Sequence, residues 1–310
     1  MANPNQKKVL LSYVALGIGV VCIGLSAIFV KIAGAPGAVS AFYRALIAGI
    51  VIVPWGMLRH AKRPSPKETI LIVAGGIFFA LDLALWNTSL LLTSAATATL
   101  LANNAPLWVG LGALLLFREQ LSFHYWCGLI LSIAGMAILV GATSWSGIQL
   151  NVGDLLAIAA SFLYAAYLLT TQRARAHVDT LTFMTISLVS TVPVLLILNL
   201  VMGTALTGYS TKTWLALIGL GLISHMGGWL AINYALGHLR AAPVSVTLLG
   251  QVIVTALLSI PLLGESLSHR QVFGGIVVLG GIYLANQRKG KKPEMSQPSS
   301  GEGSGLFEVK

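Results

Sequence analysis

The chain has 310 residues, 56% of them hydrophobic and 9% charged, with a mean hydropathy of +0.85 and a net charge of +10. A soluble domain carries roughly 25% charged residues, and surface area does not shrink fast enough with size for so few to cover a water-facing exterior. The solvent is lipid for most of the chain, and nucleic-acid binding is excluded because the basic residues lie between and beyond apolar segments rather than on one face.

A membrane span needs about 20 apolar residues. Ten segments qualify, at roughly 9–32, 37–58, 69–91, 95–117, 124–142, 154–176, 181–203, 213–237, 241–263 and 270–287. Residues 1–8 precede the first. Lys7 and Lys8 before an apolar run mimic a signal peptide, but the run exceeds the roughly 7–15 residues of one, so it reads as an uncleaved span. Lys31 ends that span as an interface anchor or a cavity residue. Span two carries Tyr43 and Arg44, a candidate entry gate, although Arg44 also suits snorkelling to the outer interface.

Span three holds Asp82 near its middle, with Trp86 one turn on and on the same face. A carboxyl at this depth is costly, so it suits a substrate ammonium group or a coupled proton, with a packed, protonated Asp as the alternative. Asn103 and Asn104 sit half-way along span four beside Pro106, which removes a backbone donor. Such amides read both ends of a zwitterion or serve as interhelical ties. The word "FREQLS" with Glu119 ends the span. After span five comes a linker over 143–153.

Span six offers Tyr164 and Tyr167 as an aromatic lining. Span eight places His225 and Trp229 at the spacing of Asp82 and Trp86. Gln251 lies in span nine at the depth of Asn103, and "GESLS" with Glu265 closes that span. Glycines in "GGIVVLGG", with Gly128 and Gly135, let spans five and ten approach closely. Cys22 and Cys127 lie in apolar runs without metal-ligand spacing, and no cofactor motif appears. Residues 288–310 read as a disordered cytoplasmic tail, its "SSGEGSGLFEVK" in part a cloning remnant.

With the N-terminus inside, the inner side receives Lys7, Lys8, Arg59, Lys62, Arg63, Lys67, Arg118, Arg173, Arg175, Arg240, Arg288, Lys289, Lys291 and Lys292. The outer side receives Lys31, Lys212 and Arg270. That asymmetry puts both termini on the cytoplasmic side of ten spans. A shift of 146 positions then lays Asn87 on Asn233, Glu119 on Glu265, Ser122 on Ser268, Gly128 on Gly274 and Gly135 on Gly281. Five spans per half is odd, so the second half enters from the opposite side. The fold expected is an all-α integral membrane protein of ten helices in two inverted-topology repeats, 9–142 and 154–287. Asn87, Asn233, Glu119 and Glu265 are then scaffold residues at matching positions.

"SAATATLLANNAPLWVGLGALLLFREQLSFHYWCGLILSIAGMAILVG" and "RAAPVSVTLLGQVIVTALLSIPLLGESLSHRQVFGGIVVLGGIYL" resemble the end of the EamA-type repeat of the drug/metabolite transporter superfamily. "GDLLAIAASFLYAAYLLTTQRARA" resembles the start of its second copy. The likeness covers residues 9 to 287, and "SAIFVK" departs from the Trp-Gly common near that point. It implies a carrier of small metabolites, most like bacterial exporters of aromatic and other amino acids that also act on methyl viologen. A small-molecule substrate and the bilayer are the partners this implies, with a monomer sufficient and no cofactor. The candidate cavity residues are Asp82, Trp86, Asn103, Asn104, Tyr164, His225, Trp229, Gln251 and Tyr43. The competing classes are an integral-membrane enzyme using Asp82 and His225, and a channel.

Overall fold

A computed structural model describes residues 4–59, 63–93, 95–140, 151–264, 266 and 268–287. Glu265 and almost all of the expected linker and tail fall outside these residues. Among the described residues there is helix and no strand. The helices are α1 (Pro4–Ala33), α2 (Gly37–Leu58), α3 (Pro66–Leu92), α4 (Ala95–Ala102), α5 (Ala105–Leu116), α6 (Phe123–Val140), α7 (Val152–Arg175) and α8 (Thr180–Val201). They continue with α9 (Thr211–Gly219), a π-helical segment Leu220–Gly228, α10 (Trp229–Leu236), α11 (Ala241–Leu248), α12 (Gly250–Leu263) and α13 (His269–Ala285). Among the described residues eight helical stretches, some with a break inside, are long and apolar enough to cross a membrane, and α6 is a shorter apolar helix beside them. Helix α1 starts at Pro4, inside the segment expected to precede the first span, so Lys7 and Lys8 ride on its first turns.

Local chemistry sets the ends. Ser65 and Glu68 form a capping box with Pro66 in the first turn of α3, Asn151 and Asp154 form another on α7, and Ser268 and Gln271 a third on α13. Each satisfies amides that a helix start leaves unpaired. The two repeated words fold alike. After α5, Arg118 turns the chain with φ 53°, and after α12, Gly264 does so with φ 69°. Ser122 then accepts from the Tyr125 amide, as Ser268 does from that of Gln271.

Spans four and nine are interrupted. Asn103 and Asn104 separate α4 from α5, where Pro106 cannot donate and the Leu107 amide reaches only three residues back, to the Asn104 carbonyl (2.9 Å). Leu249 separates α11 from α12, where the Val252 amide does the same to the Leu249 carbonyl (3.2 Å).

Helices α6 and α13 pack antiparallel. A Cβ added at Gly128 would lie 2.5 Å from the Gly281 carbonyl oxygen, and one at Gly135 would lie 2.9 Å from that of Gly274. Helices α2 and α8 also run antiparallel: Asn199 Nδ2 donates to the Ala38 carbonyl (3.0 Å) near one end, while Gly56 abuts Thr185 near the other. Helix α3 lies against α7 and α8, and α1 lies against the α9–π–α10 stretch and α12. Large apolar side chains such as Ile50, Leu115, Val201, Phe273 and Tyr283 point outward, as lipid as solvent permits.

Candidate functional site

Three helix faces converge on a cavity of about 480 Å³. Helix α3 contributes Phe79, Asp82, Leu83, Trp86 and Asn87; α1 contributes Ile23, Ser26, Ala27, Val30 and Lys31; α2 contributes Gly37, Ser40, Ala41 and Arg44. Each set follows the three-and-four spacing of a single helical stripe. The wall is completed by Thr99, Ala102 and Asn103 at the α4 break, Gln251, Val252 and Thr255 of α12, Tyr164 of α7 and Trp229 of α10.

The floor is aromatic. Phe79 stacks on Tyr167 with ring centres 4.6 Å apart, and Trp229 meets Phe79 edge-on at 4.8 Å and Tyr164 at 6.1 Å. Trp229 is buried, and its indole N–H has no hydrogen-bond partner among the described residues. Asp82 lines the cavity and makes no hydrogen bond or ion pair among the described residues. Across the cavity Gln251 Nε2 lies 3.5 Å from Asn103 Oδ1, joining the two interrupted spans.

Of the residues expected at a cavity, Asp82, Trp86, Asn103, Tyr164, Trp229 and Gln251 line it. Asn104, Tyr43 and His225 do not. Asn104 Nδ2 donates back to the Leu100 carbonyl (3.1 Å). Tyr43 donates to the Leu206 carbonyl (2.6 Å) and packs on Trp214. His225, in the π-helical segment, is buried behind the wall, where its Nδ1 accepts from Arg44. Trp229, in α10, faces the cavity alone.

Arg44 does not snorkel. It is 8% exposed, lines the cavity, and donates its Nε–H to His225 Nδ1 at 3.3 Å. Lys31 also reaches the cavity. The pair Asn87 and Asn233 splits: Asn87 is on the wall, whereas Asn233 is fully buried, bonded to Tyr167 Oη and against Met184 Sδ. Ser26, Ser40, Thr99 and Thr255 are cavity residues that the sequence reading passed over; their three-and-four spacing with apolar neighbours was the available signal.

At the far end of the molecule Glu119 ties the two halves. Gln172 Nε2 donates to Glu119 Oε1 (3.0 Å), Arg240 Nε lies 3.8 Å from Glu119 Oε2, and the Ala241 amide donates to Gln172 Oε1. Among the described residues no cluster of side chains is suited to a metal.

Comparison with known proteins agrees with this architecture. The model of the EamA-like transporter family matches twice, over residues 10–141 and 151–287. "Uncharacterized transporter YdfC" of Bacillus subtilis is 23% identical over 244 residues, 78% of this chain and 79% of that protein. An "Uncharacterized transporter" of Archaeoglobus fulgidus is 24% identical over 273 residues, 87% of this chain and 94% of that protein. A crystal structure of a protein 19% identical superposes with a TM-score of 0.73, covering 91% of this chain and 98% of the other. Two tandem matches account for every helix around the cavity, so the chain belongs to the EamA-like transporter family and is a membrane transporter.

Proposed function

We propose that this transporter is a secondary carrier that exports small amphiphilic metabolites, amino acids first among them, across a bacterial inner membrane by alternating access. The observation that carries the reading is the unpaired Asp82 carboxyl in a cavity floored by Phe79, Tyr164 and Trp229. A carboxylate in an aromatic box suits an ammonium group with an apolar body attached. The same box admits a methyl viologen-type cation.

Inverted topology of the two halves is part of the proposal. Supporting it, α6 and α13 occupy matching repeat positions and run antiparallel, as do α2 and α8. Spans four and nine are interrupted at matching positions, and Arg118 and Gly264 take the same left-handed turn. The cavity extends toward the end of α1 and the start of α2, which the charge asymmetry assigns to the outer face, while the Glu119 cluster joins the halves at the opposite face. We assign the conformation as outward-facing, with both termini cytoplasmic. The enzyme alternative needs Asp82 and His225 in one site, but His225 is off the cavity wall with Nδ1 engaged by Arg44.

Counterflow in proteoliposomes tests the reading. Purified protein should exchange labelled aromatic amino acids saturably, and Asp82→Asn, which removes the charge offered to the ammonium group, should raise KM for that exchange. Absence of saturable exchange for every amino acid tested rejects the substrate class.

A further inference from the structure

We infer that Arg44 reads a free carboxylate on the transported molecule and that His225 is the residue that positions it. The inference rests on the proposed passage of carboxylate-bearing metabolites through this cavity.

Arg44 is more than nine-tenths buried and lines the cavity. Its Nε–H is taken by His225 Nδ1, itself in a residue 2% exposed. Among the described residues neither terminal amino group of Arg44 has a hydrogen-bond partner, and no carboxylate lies within ion-pair distance. With Nε occupied, the guanidinium presents the parallel N–H pair of its two terminal nitrogens, the edge that matches a carboxylate in two-point contact. For Nδ1 to accept, the His225 proton must sit on Nε2, so the imidazole is neutral and a second cation does not face Arg44.

The fold brings the pair together through the π-segment. A Cβ at Gly221 would lie 2.7 Å from Ile47 Cβ, so this turn presses against α2 one turn beyond Arg44. Phe79 covers the imidazole from α3, with ring centres 5.7 Å apart. Asp82 lies on the wall of the same cavity and makes no ion pair with the guanidinium among the described residues. A zwitterion can then bridge the two, carboxylate on Arg44 and ammonium at Asp82.

The test uses full-length protein in proteoliposomes with four probes: an aromatic amino acid, its methyl ester, its decarboxylated amine, and the matching aromatic monocarboxylate without an amino group. Wild type should favour the amino acid over the ester by about tenfold, and Arg44→Gln should erase that preference. Arg44→Lys keeps the charge without the fork and should also lose most of it; this variant carries the test if Arg44→Gln does not fold. His225→Leu should raise KM for the amino acid about tenfold while leaving the ester's KM and the maximal rate unchanged. His225→Asn, whose amide oxygen can accept from Arg44 Nε, should recover part of the loss.

A retained acid-over-ester preference in both Arg44 variants overturns the inference, as does equal treatment of acid and ester by wild type. If the amino acid is ignored but the monocarboxylate is carried in an Arg44-dependent way, the amino acid reading fails and Arg44 keeps its role. Transport of the amine and the ester alone overturns it.

Discussion

The Trp229 indole is buried against Phe79 and Tyr167, and its N–H is unpaired among the described residues. An unmet donor costs about 1–3 kcal/mol, a cost the fold offsets unless a ligand accepts from it. Trp229→Phe should therefore leave the melting temperature unchanged or higher, while KM in counterflow rises; a lower melting temperature would mean that the indole is structural. Asp179 presents a separate case outside the membrane. Burial alone would raise its carboxyl, but the Thr182 hydroxyl, the amides of Thr182 and Leu181, and the Arg175 charge together hold it below the usual carboxylate range. A lowered folded value stabilises above the unfolded pKa of about 3.9 and is lost as pH falls through the folded one. Asp179→Ala should cost about 1 kcal/mol at neutral pH, with the difference from wild type vanishing in strong acid; thermal denaturation across pH measures both. Asp82 and Trp86, one turn apart on a regular helix, both reach the cavity wall. His225, expected at the cavity as well, is instead buried behind the wall against Arg44, and nothing in "LGLISHMGG" announces a partner on another helix.

At the scale of elements, the joint after α5 departs from its partner after α12 in one respect: Arg118 holds a left-handed backbone where Gly264 does so freely. A side chain in that region costs roughly 1–2 kcal/mol. Arg118→Gly should raise stability by about 1 kcal/mol in detergent melting. The seam between α6 and α13 allows the opposite forecast. A Cβ at Gly281 would stand 2.5 Å from the Ser132 backbone nitrogen, so Gly281→Val forces the helices apart and should cost at least about 1–3 kcal/mol. Both joints and the glycine seam could be read from repeated words, since a turn or a close approach leaves few residue choices. The kinship of the two interruptions was hidden. Pro106 has Val252 as its repeat counterpart, so composition marks one break and not the other.

For the whole molecule, matching residues have unlike surroundings. Asn87 lines the cavity while Asn233 is sealed in the core. A sequence repeat predicts equivalent roles; on the proposed alternating-access cycle a carrier resting on one side makes them unequal, and no single sequence states which side. On that proposal the Glu119 cluster is a closure that must part when the cavity faces inward. Glu119→Gln removes the charge facing Arg240, and a cysteine placed at Gln172 or Leu239 should then react several-fold faster with a membrane-impermeant maleimide in inside-out vesicles. Unchanged labelling would show that packing alone keeps this end shut.

The contact between α6 and α13 pairs Gly128 with Gly281 and Gly135 with Gly274. Exchanging the halves sends each of these pairs into the other, so in the proposed alternating-access cycle the seam is the same object before and after the carrier swaps its open and shut ends. On that proposal it is the fulcrum of the stroke rather than a lever. A covalent staple across it should leave turnover intact, whereas one between α5 and α11 should stop the cycle.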